Sequence, residues 1–472
     1  MKPMTLEEMA KAVNGHILAG QSGQNISSVA IDSRKIERGG LYVALTGGRT
    51  DGHDYISPAI DAGAAALLVT HLPEGLTTLV ERREIAVIQV ADTSRALCDL
   101  AAYYIAGFKL HRVGVTGSTG KTTTKEMLYW ILAERFRTVS NRGNYNNLIG
   151  LPLSVFQIEE ETEAAVFEMG MDRLGEIHEL ADIIRPTIGI ITNIGLSHAE
   201  RLGSRENIRR AKMELVDFFG SSHTLVVNCD DDMLQPPQCT KCSGNYKLVT
   251  AGHAETADYR IVDKTDLGEA GVSFRLIGPD GEGQFEIGAP GLHNVSNAAL
   301  AIAAACTLGM TMEEIRPGLA KLTCMDKRLN IQTLAQLKII DDSYNASPDS
   351  MRAALDVLKR VEGNRKIAIL GDMFELGETS AACHFEMGEY AARSAVDIVI
   401  SVGQAAEQIT EGARRGGIRA LHYSSKELLY GVLKQWIRPG DVVLVKGSRG
   451  MAMEEIIEQI VLVAGQQEEF AK

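Results

Sequence analysis

Around residue 115 a short apolar run, Arg112–Thr116, passes straight into Gly114-Val-Thr-Gly-Ser-Thr-Gly-Lys-Thr-Thr-Thr124, and an amphipathic pattern carrying Met127, Leu128, Ile131 and Leu132 on one face follows. A strand that ends on glycines and turns at once into a helix is a unit of open parallel sheets. The small residues Gly117, Ser118, Thr119 and Gly120 let backbone N–H groups approach phosphate oxygens, and the helix N-terminus adds positive partial charge. Lys121 can reach the outer phosphates of a nucleotide, the Thr122 hydroxyl can hold Mg²⁺, and Thr123 follows in the same turn. Val115 stands where the strict phosphate-loop pattern has its first glycine, but the tighter Thr-Gly-Ser-Thr-Gly-Lys-Thr remains. The plain alternative is a glycine-rich turn that happens to precede a lysine. A nucleotide loop does not name a reaction, since kinases, GTPases, ATPases and ATP-driven ligases all use one.

The rest of the chain repeats the alternation of strand and helix. Its 472 residues suggest about three domains. Residues 1–108 read as a small α/β unit with strands in SVAID, GLYVAL, AALLVT and IAVIQV. Residues 109–325 read as a mostly parallel sheet of the phosphate-loop type, with strands in AAVFEMG, TIGIITNIG and TLVVNCDD. Within it, 259–290 alternates as an antiparallel hairpin around Pro-Asp-Gly, and an Ala-rich helix over Asn294–Leu308 closes the unit. Residues 326–472 read as a doubly wound, Rossmann-like sheet with strands LKIIDD, RKIAILGD, VDIVISVG and DVVLVKGS, and the tail GQQEEFAK is expected to fray. The net charge of −13 argues against a nonspecific nucleic-acid binder. Seven cysteines, the lack of an apolar leader in MKPMTLEEMAKAVNG and no apolar run long enough to span a bilayer point to a cytoplasmic protein without membrane insertion. Cys239-Thr-Lys-Cys242 has the spacing of a metal or redox pair but no second pair, and reads as a surface loop with free thiols.

Several segments carry chemistry beyond the loop. Glu168 ends the strand AAVFEMG and His198 lies just past IGIITNIG, both at the sheet edge where Thr122 sits. Each has a bland counterpart, a helix cap and a loop histidine bonded to backbone. Lys212, on a helix with Ile208, Arg209 and Arg210, reads from composition as a solvated helix face. The segment Asn141–Asn147, with Asn144, Asn146 and Asn147, makes an amide-dense loop suited to polar substrates, or an Asn-rich turn. Asn294 and Asn297 open the Ala-rich helix and either cap it or read a base edge. Asp342, Tyr344 and Asn345 lie at a strand end before Pro348.

In this order, these segments resemble the Mur ligase family over essentially the whole chain. The phosphate loop, Glu168, the Asn144–Asn147 loop, His198, Lys212, the Asn294 and Asn297 helix start, Arg328 and Asp342 fall where that family's pattern places them. Asp32-Ser-Arg34, Leu41–Gly47 and Asp51-Gly-His-Asp54 look like the family's UDP-sugar-binding domain. Leu370-Gly-Asp-Met-Phe-Glu-Leu-Gly377 with His384, and Val445–Glu454, look like the branch that adds D-alanyl-D-alanine; the Asp-Asn-Pro-Arg box of the diaminopimelate-adding branch is absent. Lys327-Arg328-Leu329 replaces the usual Gly-Arg-Leu, and Ser347 replaces an asparagine.

The resemblance implies an ATP-dependent amide ligase that joins D-alanyl-D-alanine to UDP-N-acetylmuramoyl-tripeptide through an acyl phosphate, serving peptidoglycan synthesis. Nothing in the sequence demands an oligomer, so a monomer without a nucleic-acid partner is expected. It implies two Mg²⁺ ions, one on Thr122 and Glu168 and one on His198 and a carbamylated Lys212. It assigns ATP to residues 117–123 with Asn294, Asn297, Arg328, Asp342 and Tyr344. Substrate contacts fall to Ser33, Arg34, Asn144, Asn146, Asn147, Asn345, Lys446 and Arg449. By the same resemblance the first domain takes the UDP-sugar, the second ATP, and the third the dipeptide while completing the ATP site. Another Mur ligase, a folylpolyglutamate synthetase-like ligase or a nucleotide-switch protein are the rival readings.

Overall fold

The structure, a computed structural model, describes residues 1–48, 50–235, 245–323, 325–334 and 336–470. The Cys239/Cys242 pair lies outside the described residues. No described helix is long and apolar enough to cross a membrane.

Three large sheets, each flanked by helices, follow one another along the chain, as the alternating pattern predicts, and Met4–Thr5 pairs with Asn25–Ile26 in a small two-stranded sheet beside the first. The first has five strands in the order His16–Ala19, Ala86–Gln89, Ala66–Val69, Leu41–Val43 and Val29–Ala30, parallel except for His16–Ala19. That antiparallel edge strand was not expected, because its four residues are half exposed and show no apolar run. The helix Thr93–Ala106, capped by the Asp92 side chain on two backbone N–H groups, covers this sheet. It also seats the sheet on the next unit: the Tyr104 hydroxyl donates to the Ile158 carbonyl, and one apolar core runs from Leu97 and Leu100 to Leu151 and Val155.

The central sheet has nine strands. His111–Thr116 sits inside it between Ile188–Ile191 and Ala164–Glu168, all parallel, with Thr138–Ser140 at the near edge. These inner strands are buried on both faces and read as continuous apolar runs for that reason. At the far edge, Val272–Gly278 and Gly281–Ile287 form the expected antiparallel hairpin. The Ala-rich helix spans His293–Thr307, and its small side chains let it lie close against the phosphate-loop helix Lys121–Leu132.

The third sheet has six strands, in the order Asn330–Leu334, Leu337–Asp342, Asp441–Lys446, Arg365–Gly371, Ile398–Val402 and Arg419–Tyr423, parallel except for the first. Both edge strands went unpredicted, since edge positions alternate weakly and carry polar residues. The tail expected to fray instead continues the last helix, Glu454–Phe470. The C-terminal ends of Leu337–Asp342 and Asp441–Lys446 face the phosphate loop of the central sheet, so side chains from two sheets converge there.

Candidate active site

The convergence makes a cavity of about 750 Å³, reached by Lys121, Glu168, Asn294, Arg328, Asp342 and Lys446 among others. Its floor is the phosphate loop. Gly117 and Gly120 have φ of +150° and +77°, and a Cβ on either would collide with Thr192 or Asn297, so both positions demand glycine. The loop is pinned from the neighbouring strand end. Thr119 N–H donates to Asn193 Oδ1 at 2.9 Å, Asn193 Nδ2 donates to the Thr119 hydroxyl at 2.8 Å, and the Thr192 hydroxyl donates to the Thr119 carbonyl at 2.5 Å. Thr192 and Asn193 were missed in the sequence; the signal was a polar pair closing an otherwise apolar strand.

Lys121 Nζ folds over its own loop, donating to the carbonyls of Gly117 at 2.9 Å and Ser118 at 3.2 Å. Burial lowers its pKa, Glu168 works against that shift, and Arg328 adds to it. Thr122 lies at the centre of the polar network. Its hydroxyl donates to Glu168 Oε2 at 2.7 Å and accepts from Arg328 Nη2 at 3.0 Å. Glu168 Oε1 accepts from Asn146 Nδ2 at 2.7 Å. Asn146 and Arg328, distant in sequence, thus meet at the pair formed by Thr122 and Glu168. Asn147 lines the same cavity, whereas Asn144 does not; Asn147 Oδ1 caps the helix Gly150–Val155 by accepting from Gly150 N–H.

Lys212 is 1% exposed, not the solvated helix face that composition suggested. Its Nζ donates to the Gly117 carbonyl at 3.0 Å. Burial, helped by repulsion from Lys121, pushes its pKa well below the lysine range. His198 Nδ1 lies 2.7 Å from Glu375, in the loop after the strand Arg365–Gly371 of the third sheet, and 3.5 Å from Asp172. His198 beside Glu375 holds that carboxyl below the usual range. Glu375 lies within the Leu370–Gly377 motif, but nothing in the sequence joined it to His198.

On the opposite wall Asn294 Nδ2 donates to the Pro290 carbonyl at 2.9 Å and Asn297 Nδ2 reaches Asn294 Oδ1 at 3.3 Å, so the two amides tie the helix start to the turn before it and to each other while lining the cavity, and neither caps the helix. Lys446 Nζ, 2% exposed, binds Asp342 Oδ2 at 2.6 Å and the Asn345 carbonyl at 2.8 Å. Arg328 stacks on Tyr344 at 4.2 Å. Arg449 pairs with Glu454 at 2.8 Å and lies outside the cavity lining, although its N–H reaches Asn345 Oδ1 at 3.3 Å. Ser33 and Arg34 belong to the first sheet's unit and do not join this cavity. Arg34 forks onto Asp32 at 2.9 Å through both nitrogens and holds that carboxyl down to about 2.

Three family models tile the chain: the Mur ligase family catalytic domain matches residues 25–105, the Mur ligase middle domain 115–305 and the Mur ligase glutamate ligase domain 327–449. The chain belongs to the Mur ligase family. The UDP-N-acetylmuramoyl-tripeptide–D-alanyl-D-alanine ligase of Bacillus subtilis (strain 168) is 39% identical over 97% of this chain and 98% of its own. A crystal structure of MurF from Acinetobacter baumannii superposes with a TM-score of 0.89 at 32% identity, covering 98% of this chain and 99% of that one. MurF ligase from Thermotoga maritima in complex with ADP gives 0.80 at 29% identity, covering 93% and 98%. For a Mur ligase the meeting of Arg328 with Thr122 is the informative contact, because it joins the two units that the middle and glutamate-ligase models describe separately.

Proposed function

We propose that this Mur ligase joins D-alanyl-D-alanine to UDP-N-acetylmuramoyl-tripeptide at the expense of ATP, in peptidoglycan synthesis. The single observation that carries the reading is the shared Thr122 hydroxyl, held by Glu168 from the central sheet and by Arg328 from the third unit. It puts phosphate-binding groups from two units around one point, in a chain whose full-length relatives bear that activity in their names.

A carboxylate resists attack by an amine because oxide is a poor leaving group. Transfer of the γ-phosphoryl group to the terminal carboxylate of the tripeptide gives an acyl phosphate. The D-alanyl-D-alanine amine then attacks its carbonyl carbon, loses a proton, and the intermediate collapses to the amide with phosphate leaving. The loop N–H groups and Lys121 hold the nucleotide phosphates, and Arg328 reaches the same point from the other side. Asn294 and Asn297 flank the base, and Asp342, Lys446 and Asn345 close the cavity. The third unit takes the dipeptide, and the first, through Ser33 and Arg34, the UDP-sugar.

Mg²⁺ takes oxygen donors, and the Thr122 hydroxyl with the Glu168 carboxylate, 2.7 Å apart and buried, is such a set. When bound, the ion neutralises charge on the phosphates being transferred. Lys212 as an amine does not suit Mg²⁺. Burial favours its neutral form, however, and a neutral amine can attack CO₂ and lose a proton to become a carbamate, which supplies oxygens. That modified side chain, with His198, is the proposed holder of a second ion.

The substrates are cytoplasmic metabolites by their chemistry, and Cys98, Cys229, Cys306 and Cys383 are free thiols, so we place the enzyme in the cytoplasm. Phosphate release from ATP is expected only when UDP-N-acetylmuramoyl-tripeptide and D-alanyl-D-alanine are both present; release indifferent to either would refute the ligase reading. The enzyme is proposed to act as a monomer: light scattering should return a mass of 51.1 kDa, and a stable dimer would contradict that.

A further inference from the structure

At the head of the Asn-rich loop lies a residue that the mechanism above does not use. Asn141 is fully buried and follows the edge strand Thr138–Ser140. That strand pairs in parallel with Ala164–Val166 and stops at Ser140, two residues short of Glu168. There the Asn141 side chain takes over the ladder. Its Oδ1 accepts from Glu168 N–H at 2.8 Å, and its Nδ2 donates to the Glu168 carbonyl at 2.9 Å. The same Nδ2 donates to the Tyr145 carbonyl at 2.8 Å, one residue before Asn146, whose own amide holds Glu168 Oε1. One amide therefore grips the peptide of Glu168 and fixes the residue that grips its carboxylate. The Asn141 carbonyl in turn accepts from Lys125 Nζ at 2.7 Å, and Lys125 is itself fully buried on the helix that begins with Lys121 and Thr122.

We infer that Asn141 is a positioning residue for the Mg²⁺ site of Thr122 and Glu168, setting the carboxylate from behind while Lys125 ties it to the helix that carries the threonine. The inference rests on the reading of that pair as a metal site. Residues that orient metal ligands typically change metal affinity by roughly 10–100-fold when removed. A residue serving the fold alone would lower the melting temperature and leave metal dependence intact.

The test is calorimetric binding of ADP to the full chain with and without Mg²⁺. In the wild type Mg²⁺ should tighten ADP. In Asn141→Ala, and in Asn141→Asp, which keeps the size and the bond from Glu168 N–H but loses both donated bonds, the Mg²⁺-dependent gain should fall by roughly 10-fold or more, with metal-free ADP affinity unchanged. A full gain in either folded variant overturns the inference alone. A wild type in which Mg²⁺ leaves ADP affinity unchanged overturns the metal reading and the inference with it. Hydrogen exchange on the wild-type ADP complex needs no variant: Mg²⁺ should slow exchange over residues 138–147 together with 164–170, and slowing confined to 164–170 would also overturn it.

Discussion

Lys212→Met is expected to lower amide-bond formation by about a thousandfold and, unusually for a variant of an active site, to raise the melting temperature of the protein prepared without bicarbonate. The two effects share one cause. The lysine is 1% exposed, and the one partner found for its Nζ is the Gly117 carbonyl. Burying an ammonium group with so little compensation is unfavourable, and Lys121 nearby makes it worse. The folded protein therefore binds this proton less tightly than the unfolded chain, whose lysine keeps its ordinary value of 10.5. Between the lowered folded value and 10.5 unfolding takes up a proton, so stability from this group rises with pH across that window and is least at its lower end. Methionine fills the same space without a charge and removes the dependence. Calorimetry near neutral pH should show the variant more stable, with the difference shrinking toward alkaline pH; an equal or lower melting temperature would mean that the lysine is satisfied as it stands. Addition of bicarbonate should raise the activity of the wild type and leave the variant unmoved, and full activity in the variant would defeat the carbamate.

Lys212 also shows what the sequence made legible and what it hid. The helix Arg205–Lys212 is polar in composition, with Arg209 and Arg210 beside the lysine, so it reads as a surface helix. Yet its buried residues are Ile208, Ala211 and Lys212, the spacing of one inward stripe. Composition placed the lysine outside, and the stripe decides otherwise because the helix packs beneath the phosphate loop. Glu168 was legible for a different reason: a carboxylate ending a run buried on both faces has few other reasons to be there. Contacts between distant segments left no such trace. His198 meets Glu375 only because the third unit folds back over the central sheet, and Glu200 N–H reaches the Glu375 carbonyl at 3.0 Å in the same approach. Asn141 was hidden because its neighbours in Asn141–Asn147 are also amides, and only the register of the edge strand separates the one that turns inward.

Arg328→Met is expected to cost about a thousandfold in turnover, with a much smaller change in the affinity for ADP. The proposed reaction needs both units in place, and Arg328 is the contact between them that reaches the phosphate-loop threonine. Its Nη2 donates to the Thr122 hydroxyl at 3.0 Å while its guanidinium lies 4.2 Å from the centre of the Tyr344 ring. The stack fixes the plane of the fork and leaves further N–H donors free to meet an oxygen of the phosphate in transfer. The ADP contacts proposed for the loop N–H groups and Lys121 are not touched by the substitution, so binding is expected to fall less than chemistry. Arg328→Lys should recover little, since a point charge on a flexible stem neither stacks nor forks. Tyr344→Leu should fall between wild type and Arg328→Met, because it removes the stack but keeps the charge. Single-turnover measurement of acyl-phosphate formation separates the cases: a normal rate of phosphoryl transfer in Arg328→Met would mean that the arginine only joins the two units. A rate reduced in step with turnover would place its charge on the transferring group.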